Sequence, residues 1–325
     1  MQGTNVVVTG GAGFIGSSLT EGLSEGSEVT VIDNLSTGAM GNISALVNSG
    51  RIRFVEGDIS DADLLKKELK GKRYVFHEAA IPSVPRSIKD PLRTNEANVT
   101  GTLKLLLAAR DCGVEKVIFA SSSSVYGDTP TLPKREGMEP RPMSPYALTK
   151  LAGEHYCRLF SELYGLKTVA LRYFNVYGPR QDPNSEYAAV MPKFISCALT
   201  GKPMPIYGDG MQTRDFSFVK DVVRANVLAA ESGVTGAFNI AGGKRVSVME
   251  LAGIIARECK VELKVEHLPE RVGDIRDSLA DVTRAKDEFG WAPRYALNEG
   301  IREAVEWFRR SAKLEGACGP EGMPK

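Results

Sequence analysis

The chain has 325 residues, of which 42% are hydrophobic and 25% are charged. These values are typical of a soluble globular protein that is long enough for one large core and a second lobe. The 41 basic and 40 acidic residues nearly cancel, which leaves a net charge of +1. Without an excess of positive charge, the composition argues against a nucleic-acid partner.

Several further classes are disfavoured by what the sequence lacks. No apolar run reaches the length of a membrane span, so no membrane association is expected. The first predicted strand begins almost at the N-terminus, and we therefore expect no signal peptide. The cysteines lack metal-site spacing, and their odd number disfavours a disulfide framework: Cys112, Cys157, Cys197, Cys259 and Cys318. Free thiols, no bound metal and a cytoplasmic location are the expectation.

The first half of the chain alternates short apolar strands with helical stretches. Strands are predicted at residues 5–9, 28–33, 51–56, 74–78, 116–121 and 167–173, and helices at 14–24, 98–112 and 146–164. Runs of β-branched residues that are bounded by glycine and alternate with helices indicate a parallel sheet. The fold class is therefore predicted to be α/β, with a Rossmann-like, doubly wound parallel sheet.

The local composition of the sequence changes after about Gly178, where prolines and glycines become frequent. We predict a dinucleotide-binding domain over residues 1–178 and a smaller C-terminal substrate-binding lobe over residues 179–310. The segments 214–226 and 237–241 are expected to return to the first domain. Residues 311–325 have no apolar period and are predicted to form a flexible tail.

Three glycines follow the first predicted strand directly, with the spacing G-x-x-G-x-x-G: Gly10, Gly13 and Gly16. Glycine permits a tight turn, lets backbone N–H groups approach a diphosphate and lets the next helix pack closely on the sheet. The placement between a strand and a helix predicts a dinucleotide site. The alternative is a tight strand-to-helix turn that binds no ligand.

Asp33 ends the second predicted strand, 20 residues after Gly13. A carboxylate there accepts hydrogen bonds from both hydroxyls of an adenosine ribose and repels a 2′-phosphate. No arginine or lysine occurs in the segment that follows, which contains Asn34, Ser36, Thr37 and Gly38. NAD is therefore predicted over NADP, the alternative being an aspartate that caps a turn. Asp58 and Ile59 follow the third strand, where they would meet the adenine, although Gly-Asp is also an ordinary turn.

Tyr146 and Lys150 stand at positions i and i+4 of a predicted helix, so both side chains lie on one face. An ammonium beside a phenol stabilises the phenolate and lowers its pKa, which would let the tyrosine act as base and acid. The alternative is an ordinary amphipathic face. The serine run 121–124 at the end of the fifth strand favours a catalytic site, because ligands bind beyond the carboxyl ends of parallel strands.

These motifs stand in the order found in the extended short-chain dehydrogenase/reductase family, which the chain resembles to about Arg310. Within that family it is most similar to the UDP-galactose and UDP-N-acetylglucosamine 4-epimerases. The resemblance implies that Ser122, five residues before Gly127 in S-S-S-S-V-Y-G, is the catalytic serine, with the neighbouring serines leaving its register open. It also implies that Tyr146 is the acid/base and that Lys150 binds the nicotinamide ribose.

Further binding residues are implied by the same resemblance. Positions that match NAD contacts are Phe14, Ile15, Asp58, Ile59, Ala79, Ala80, Asn98 and Tyr173. Positions that match contacts to the nucleotide sugar are Val84, Asn175 (diphosphate), Val190 and Tyr207 (uracil), Arg214 and Arg271 (phosphates) and Asp274 (ribose). Guanidinium groups suit a diphosphate because of their forked geometry. His77 is expected to be structural, with a nicotinamide contact as the alternative.

The implied reaction is oxidation of the sugar 4-hydroxyl, rotation of the 4-keto sugar about its diphosphate link, and reduction from the other face. Net redox change is zero, so NAD is expected to stay bound, and no metal is needed. Related dehydratases carry Asp-Glu, and related decarboxylases carry Glu, where this chain has Ser123 and Ser124. Since serine is a poor acid or base for elimination, dehydration is disfavoured. UDP-uronic acid 4-epimerisation, or another simple oxidoreduction of a nucleotide sugar, stays as an alternative.

One residue bears on the size of the sugar. Ser278 occupies the position at which glucose-restricted members of the family carry tyrosine, so the resemblance implies room for an N-acetyl group. The segment 83–87 also resembles the branch that acts on N-acetylated sugars. We predict UDP-GlcNAc/UDP-GalNAc interconversion, with UDP-Glc/UDP-Gal also accepted; the alternative is that Ser278 is simply a loop residue.

A non-catalytic NAD-binding regulator is the hypothesis from a different class, and retention of both Tyr146 and Lys150 argues against it. Relatives pair through two long helices of each subunit. A homodimer is therefore expected, with the helices at 98–112 and 144–164 as its candidates.

Overall fold

The structure, a computed structural model, describes residues 1–182, 189–270 and 275–317, with side chains up to Ser311. Its strands are β1 (Thr4–Thr9), β2 (Ser27–Asp33), β3 (Ile52–Glu56), β4 (Tyr74–His77), β5 (Lys116–Ser122), β6 (Lys167–Tyr173), β7 (Val176–Tyr177), β8 (Met204–Tyr207), β9 (Thr213–Asp215), β10 (Ser217–Phe218), β11 (Gly236–Ile240), β12 (Arg245–Ser247) and β13 (Val265–Leu268). Its helices are α1 (Phe14–Leu23), α2 (Ser44–Asn48), α3 (Ala62–Leu69), α4 (Val84–Lys89), α5 (Pro91–Asn95), α6 (Gly101–Asp111), α7 (Pro145–Tyr164), α8 (Val190–Thr200), α9 (Val219–Glu231), α10 (Val248–Cys259), α11 (Thr283–Phe289) and α12 (Leu297–Ala317).

A parallel sheet of seven strands forms the centre of the molecule, in the order β11-β6-β5-β4-β1-β2-β3. The chain winds outward from β1 in both directions, so the strand order reverses between β1 and β4. This confirms the predicted Rossmann-like, doubly wound α/β fold.

Helices cover both faces of this sheet. Val6 and Val8 of β1 belong to the core on one face, and Val7 belongs to the core on the other. All three side chains are fully buried. Burial on both faces explains why β1 reads as a continuous apolar run, since successive strand residues point to opposite faces.

Parallel pairing brings the carboxyl ends of the strands to one edge of the sheet. Thr9 of β1 pairs with His77 of β4, and Ser122 of β5 pairs with Tyr173 of β6. Asp33 pairs with Glu56 at the ends of β2 and β3. Residues that stand far apart in the sequence therefore meet along a single line.

A second core lies between α8, α10 and α12. It includes Phe194, Leu251, Ile255, Ile301 and Val305, each of which is fully or almost fully buried. This core gives the C-terminal part of the chain its own packing. The division at Gly178 into two functional domains stays a prediction.

The segments 214–226 and 237–241, predicted to return to the first domain, differ in where they lie. The strand β11 pairs with β6 at the edge of the central sheet, and α9 packs against α1, β5 and β6. Arg214 instead lies in β9, which pairs with β12 rather than with the central sheet. The backbone of α12 continues to Ala317, beyond the point at which a flexible tail was predicted to begin, and residues 318–325 lie outside the described part.

No helix among the described residues is long and apolar enough to cross a bilayer. Within the same residues the structure shows no cluster of metal ligands, and Cys112, Cys157, Cys197 and Cys259 are free thiols. Apolar side chains are exposed on α4, α5 and α7, at Ile88, Leu92 and Leu148. The homodimer and the cytoplasmic location stay predictions, the former favoured by this exposed apolar surface.

A buried ion pair joins α7 to β6. The guanidinium of Arg172 donates to both carboxylate oxygens of Glu154, at 2.9 and 2.7 Å, and its side chain is 5% exposed. The same guanidinium donates to the Tyr126 hydroxyl at 2.8 Å. Because these charges are removed from water, each depends on the other for its stability.

Replacing Glu154 by glutamine should leave the Arg172 charge buried without a counter-charge. We expect a loss of about 3–5 kcal/mol in the free energy of unfolding, measured by denaturant unfolding of the holoprotein followed by circular dichroism. Glu162→Gln is the matched control, because Glu162 pairs with Arg158 on the exposed face of the same helix and should change stability by less than about 1 kcal/mol. Equal losses from the two variants would contradict the assignment.

Candidate active site

A cleft of about 520 Å³ lies at the carboxyl edge of the sheet. Its walls come from the residues that follow β1, β2, β3 and β4, from the end of β5 and β6, and from α7. In an open α/β sheet, the place where the strand order reverses is the expected ligand site. The lining includes most of the residues predicted to bind the cofactor: Gly10, Gly13, Phe14, Ile15, Gly16, Asp33, Asn34, Ser36, Thr37, Asp58, Ile59, Ala79, Ala80, Tyr146, Lys150 and Tyr173.

The glycine loop is shaped for close backbone approach. Gly10 has φ +71°, and a Cβ there would lie 2.6 Å from the backbone nitrogen of Ala79. A Cβ on Gly16 would overlap the carbonyl oxygen of Gly10. Helix α1 begins after Gly13 without any side-chain cap, so its first N–H groups are available to an anion. The loop therefore fits a dinucleotide diphosphate.

Asp33 lies at the adenosine end of the cleft. Its two carboxylate oxygens accept backbone N–H bonds from Ala12 at 2.9 Å and Leu35 at 2.8 Å, which fix its position. Nearby, the Asn34 amide donates to Asp58 at 2.6 Å. Partial burial opposes ionisation of Asp58, but hydrogen bonds from Ser60 and Asn34 outweigh it and lower its pKa. The Asp33 carboxylate beside the ribose position suits hydroxyl groups and disfavours a 2′-phosphate, and Asp58 lies where the adenine is expected, so these residues fit NAD.

The structure separates the serines of the run 121–124. Ser121 donates to the buried Glu154 carboxylate at 2.5 Å and is thus committed to the Arg172–Glu154 pair. Ser122 hydrogen-bonds the phenol of Tyr146 and accepts from the Ser124 hydroxyl at 2.9 Å. This contact with Tyr146 favours Ser122 as the catalytic serine, although Ser121 is the one of the two that lines the cleft, and the role of Ser122 stays a prediction.

Tyr146 and Lys150 lie on the face of α7 that borders the cleft, as the i, i+4 spacing predicts. The Lys150 ammonium donates to the Ala120 carbonyl at 2.8 Å and stands 5.9 Å from the centre of the Tyr146 ring. Burial lowers the pKa of Lys150 to about 8.

The pKa of the Tyr146 phenol differs from the expectation. Burial raises its pKa to about 12, even though the hydrogen bond from Ser122 lowers it. The prediction that Lys150 gives Tyr146 a lowered pKa is therefore wrong for the protein groups alone. Removing the phenolate from water costs more free energy than the neighbouring groups regain by stabilising it. Burial therefore opposes the base form of Tyr146, and the contact with Ser122 favours it.

His77 is structural. Its two ring nitrogens contact the hydroxyls of Thr9 at 2.8 Å and Thr102 at 2.9 Å. Since the Thr102 hydroxyl donates to the Asn98 carbonyl, it accepts from Nε2–H, and Nδ1 is left to accept from Thr9. Burial lowers the pKa of His77 to about 3 and keeps the ring neutral.

Two predicted cofactor residues stand behind the wall of the cleft. The side chain of Asn98 is 2% exposed and bonds both backbone groups of Ile81 and the Thr149 hydroxyl, at 2.8 to 3.1 Å. Gly38 packs against Ala12, where a Cβ would lie 2.9 Å from the backbone. The side chain of Asn98 thus holds Ile81 against α7, and the direct contacts of Asn98 and Gly38 with the cofactor stay predictions.

The predicted substrate residues are spread over both lobes. Val84 is 38% exposed on α4, and the Asn175 amide donates to the Asp215 carbonyl at 2.9 Å. Val190 begins α8, and Tyr207 ends β8. Arg214 lies in β9, where its guanidinium donates to the Thr213 carbonyl at 2.9 Å. Arg271 and Asp274 lie outside the described residues.

Ser278 is buried, and its neighbours are fixed to β9. Its backbone nitrogen donates to the Thr213 carbonyl at 3.1 Å, and the Ala280 nitrogen donates to Asp215 at 3.0 Å. Ala280 in turn packs with Tyr126, which follows β5. The segment that carries Ser278 thus joins β9 to the turn that follows β5.

Three charged residues of the cleft received no role from the sequence: Glu78, Arg93 and Glu96. Glu78 comes directly after β4, so its place at the carboxyl edge could have drawn attention to it. Arg93 reaches the cleft from α5, and no local sequence signal shows that this connection folds over the opening.

Gly16→Ala should weaken cofactor binding even though alanine is the better helix former. The added methyl group overlaps the Gly10 carbonyl and must displace the diphosphate loop, at a cost of about 1–3 kcal/mol. We expect the purified variant to retain less NAD, measured by absorbance after denaturation and filtration. Gly41→Ala, with no atom within 4 Å of the new Cβ, should retain as much as the wild type; undiminished NAD in Gly16→Ala would refute the role of the loop.

Comparison with known proteins places this geometry in a family. Residues 6–241 match the NAD dependent epimerase/dehydratase family. The chain is 44% identical over 312 residues to a UDP-glucose 4-epimerase of Mycolicibacterium smegmatis, covering 94% of this chain and 99% of that protein. It is 34% identical to a UDP-glucuronate 4-epimerase of Thermodesulfobacterium geofontis, covering 95% and 97%.

A solved structure is similar over almost the whole length. It is a UDP-N-acetylglucosamine 4-epimerase from Methanobrevibacter ruminantium M1 in complex with UDP-N-acetylmuramic acid, with 48% sequence identity and a TM-score of 0.93. The match covers 96% of this chain and all of that chain. With the glycine loop, Asp33 at the ribose position and the Ser122–Tyr146 contact, these likenesses lead to one conclusion: the chain belongs to the NAD dependent epimerase/dehydratase family.

Proposed function

We propose that this protein is an NAD-dependent UDP-sugar 4-epimerase that interconverts UDP-GlcNAc and UDP-GalNAc and also accepts UDP-Glc and UDP-Gal. The observation that carries the proposal is the placement of Tyr146 and Lys150 together in the wall of the dinucleotide cleft, with Ser122 in contact with the phenol. The similarity to UDP-sugar 4-epimerases over more than nine-tenths of the chain supports the reaction type.

The proton path follows from the hydroxyl contacts. Ser124 donates to Ser122 at 2.9 Å, which leaves the Ser122 hydroxyl proton directed at the Tyr146 oxygen. A donor that points at the phenol oxygen stabilises the phenolate over the phenol. Tyr146 can then accept the proton of the sugar 4-hydroxyl and return it when the carbonyl is reduced.

NAD, when bound, supplies the hydride acceptor and donor and brings a positively charged nicotinamide ring in its oxidised form. The residues fitted to hold it are the glycine loop at the diphosphate, Asp33 at the adenosine ribose and Lys150 at the nicotinamide ribose. Lys150 adds its own charge on the phenol side of the cleft. Its bond to the Ala120 carbonyl fixes that charge on the wall formed by β5.

Dehydration remains disfavoured by the contacts of the serine loop. Ser124 stands where related dehydratases carry an acidic residue, and its hydroxyl is engaged with Ser122. It therefore supports the catalytic serine and offers no base to C5 of a sugar. A transient 4-keto sugar in this site is expected to be reduced again, with inversion at C4.

The preference for N-acetylated sugars rests on Ser278 and its place between the lobes. The segment that carries it links β9, which bears Arg214, to the loop that follows β5. Ser278 is buried and does not line the described cleft, so room for an N-acetyl group beside it, which a tyrosine would fill, is inferred from the resemblance. The Methanobrevibacter ruminantium M1 structure, whose ligand is an N-acetylated UDP-sugar, supports the same preference.

The function is tested by incubating the purified protein, without added NAD, with UDP-GlcNAc, UDP-Glc or UDP-GlcA and identifying each product by NMR. We expect the 4-epimers of UDP-GlcNAc and UDP-Glc to form, and no 4-epimer of UDP-GlcA. Turnover of UDP-GlcA alone would transfer the assignment to the uronic-acid reaction. Absence of turnover with bound NAD would favour a binding protein.

Tyr146→Phe removes only the phenol oxygen that exchanges the proton. We expect turnover to fall by at least about 100-fold, the ordinary contribution of a general acid–base, while the NAD content of the protein stays at the wild-type level. Substantial remaining epimerisation would remove Tyr146 from this role. Tyr156→Phe on the same helix is the matched control and should retain activity.

Ser278→Tyr should fill the space assigned to the N-acetyl group. The ratio of kcat/KM for UDP-GlcNAc to that for UDP-Glc should fall by at least about 10-fold, the scale of a steric change in a substrate pocket. Activity on UDP-Glc serves as the internal control for folding, and Ser278→Ala should leave the ratio unchanged. Equal losses on both substrates would rule out a size gate.

A further inference from the structure

Glu78 is a carboxyl group of the cleft that the proton transfer described above does not use. It follows β4 directly and lines the same wall as Tyr146, Lys150 and Tyr173. Asp33, fitted to the ribose, and Asp58, predicted to meet the adenine, belong to the adenosine end of the cleft. Glu78 is therefore a negative charge placed at the catalytic end.

A hydrogen-bond chain with a single direction holds this carboxyl group. The Asn226 amide nitrogen donates to the Val222 carbonyl at 2.9 Å and to the Tyr173 hydroxyl at 2.8 Å, and Asn226 is fully buried. Because the phenol of Tyr173 accepts from Asn226, its own proton points to the Glu78 oxygen, 2.8 Å away. The chain thus fixes one carboxylate oxygen as an acceptor.

The charge of Glu78 acts on the catalytic helix. Of the carboxylates in the part of the chain that the structure describes, Glu78 is the one that raises the pKa of Lys150. The other groups that face Lys150 carry no negative charge near neutral pH: the neutral ring of His77, the phenol of Tyr146 and the thiol of Cys157, whose pKa is raised by burial.

We propose that Glu78 is a positioning residue for the epimerisation. Its carboxylate is the counter-charge that keeps the Lys150 ammonium protonated in the dry cleft, and the chain from Asn226 through Tyr173 holds it there. The proposal rests on the proposed function, because Lys150 matters here through its effect on Tyr146 and on the cofactor ribose.

The pH dependence follows from the two opposite charges. Burial raises the pKa of Glu78 to about 7 and lowers that of Lys150 to about 8. The Glu78 carboxylate is protonated as the pH falls through the pKa of Glu78. The Lys150 ammonium loses its proton as the pH rises through the pKa of Lys150. The charged pair therefore exists in a window near neutral pH, bounded by two apparent pKa values that belong to the pair.

The test is the pH profile of kcat for UDP-Glc epimerisation between about pH 6 and pH 9. Glu78→Gln keeps the size of the side chain and removes its charge. We expect the acid limb to disappear and the alkaline limb to move to lower pH by about one unit, the ordinary size of a charge effect on a pKa. Glu56→Gln, an exposed residue at the same edge, is the matched control and should leave both limbs in place.

Tyr173→Phe supplies a second, independent readout. The hydrogen bond from Tyr173 lowers the pKa of Glu78, so its loss should move the acid limb to higher pH and leave the alkaline limb in place. NAD content is measured for each variant. If Glu78→Gln does not retain NAD, the pH profile of Tyr173→Phe decides whether Glu78 has the proposed role.

Three outcomes are distinguished. Limb movements in the stated directions support the role of Glu78. A uniform loss of activity, or profiles that superimpose on the wild type at equal NAD content, overturns it and leaves the epimerase assignment intact. Absence of epimerisation by the wild-type protein defeats the proposed function instead.

Discussion

Parallel strand pairing is the constraint on which the rest of this structure depends. Since every strand of the central sheet runs in the same direction, the residue that ends each strand is delivered to the same edge. Gly10, Asp33, Glu78, Ser122 and Tyr173 are separated by as many as 163 residues in the chain and share one cleft or its border through this register. The helices supply the cover that makes this edge the wall of a cleft.

Burial of this edge decides the electrostatics of the site. The same removal from water raises the pKa of Tyr146 and Glu78 and lowers that of Lys150. Each group is moved toward its neutral form, so the site needs compensating charges to hold a phenolate or an ammonium. The family's cofactor brings one positive charge, and the Glu78 carboxylate supplies the negative partner of Lys150.

The second core gives the molecule a surface that can vary without disturbing the cofactor cleft. It is organised by α8, α10 and α12, and it meets the catalytic loop through the segment that carries Ser278 and Ala280. This arrangement separates two tasks. Cofactor binding depends on the sheet edge, whereas under the proposed function the choice of sugar would depend on side chains near Ser278.

The sequence by itself determined the features that are local in the chain. The glycine spacing, the aspartate at the end of the second strand and the i, i+4 pair of Tyr146 and Lys150 each reflect one turn or one helix, and strand and helix periods predicted the doubly wound sheet. Tertiary structure decided the rest. Ser121 and Ser122 differ in their partners on α7, which are Glu154 for the first and Tyr146 for the second, and the contacts of Asn98 with Ile81 likewise arise only in the fold. The net pKa of Tyr146 likewise depends on burial by the whole fold, which no short segment of sequence encodes.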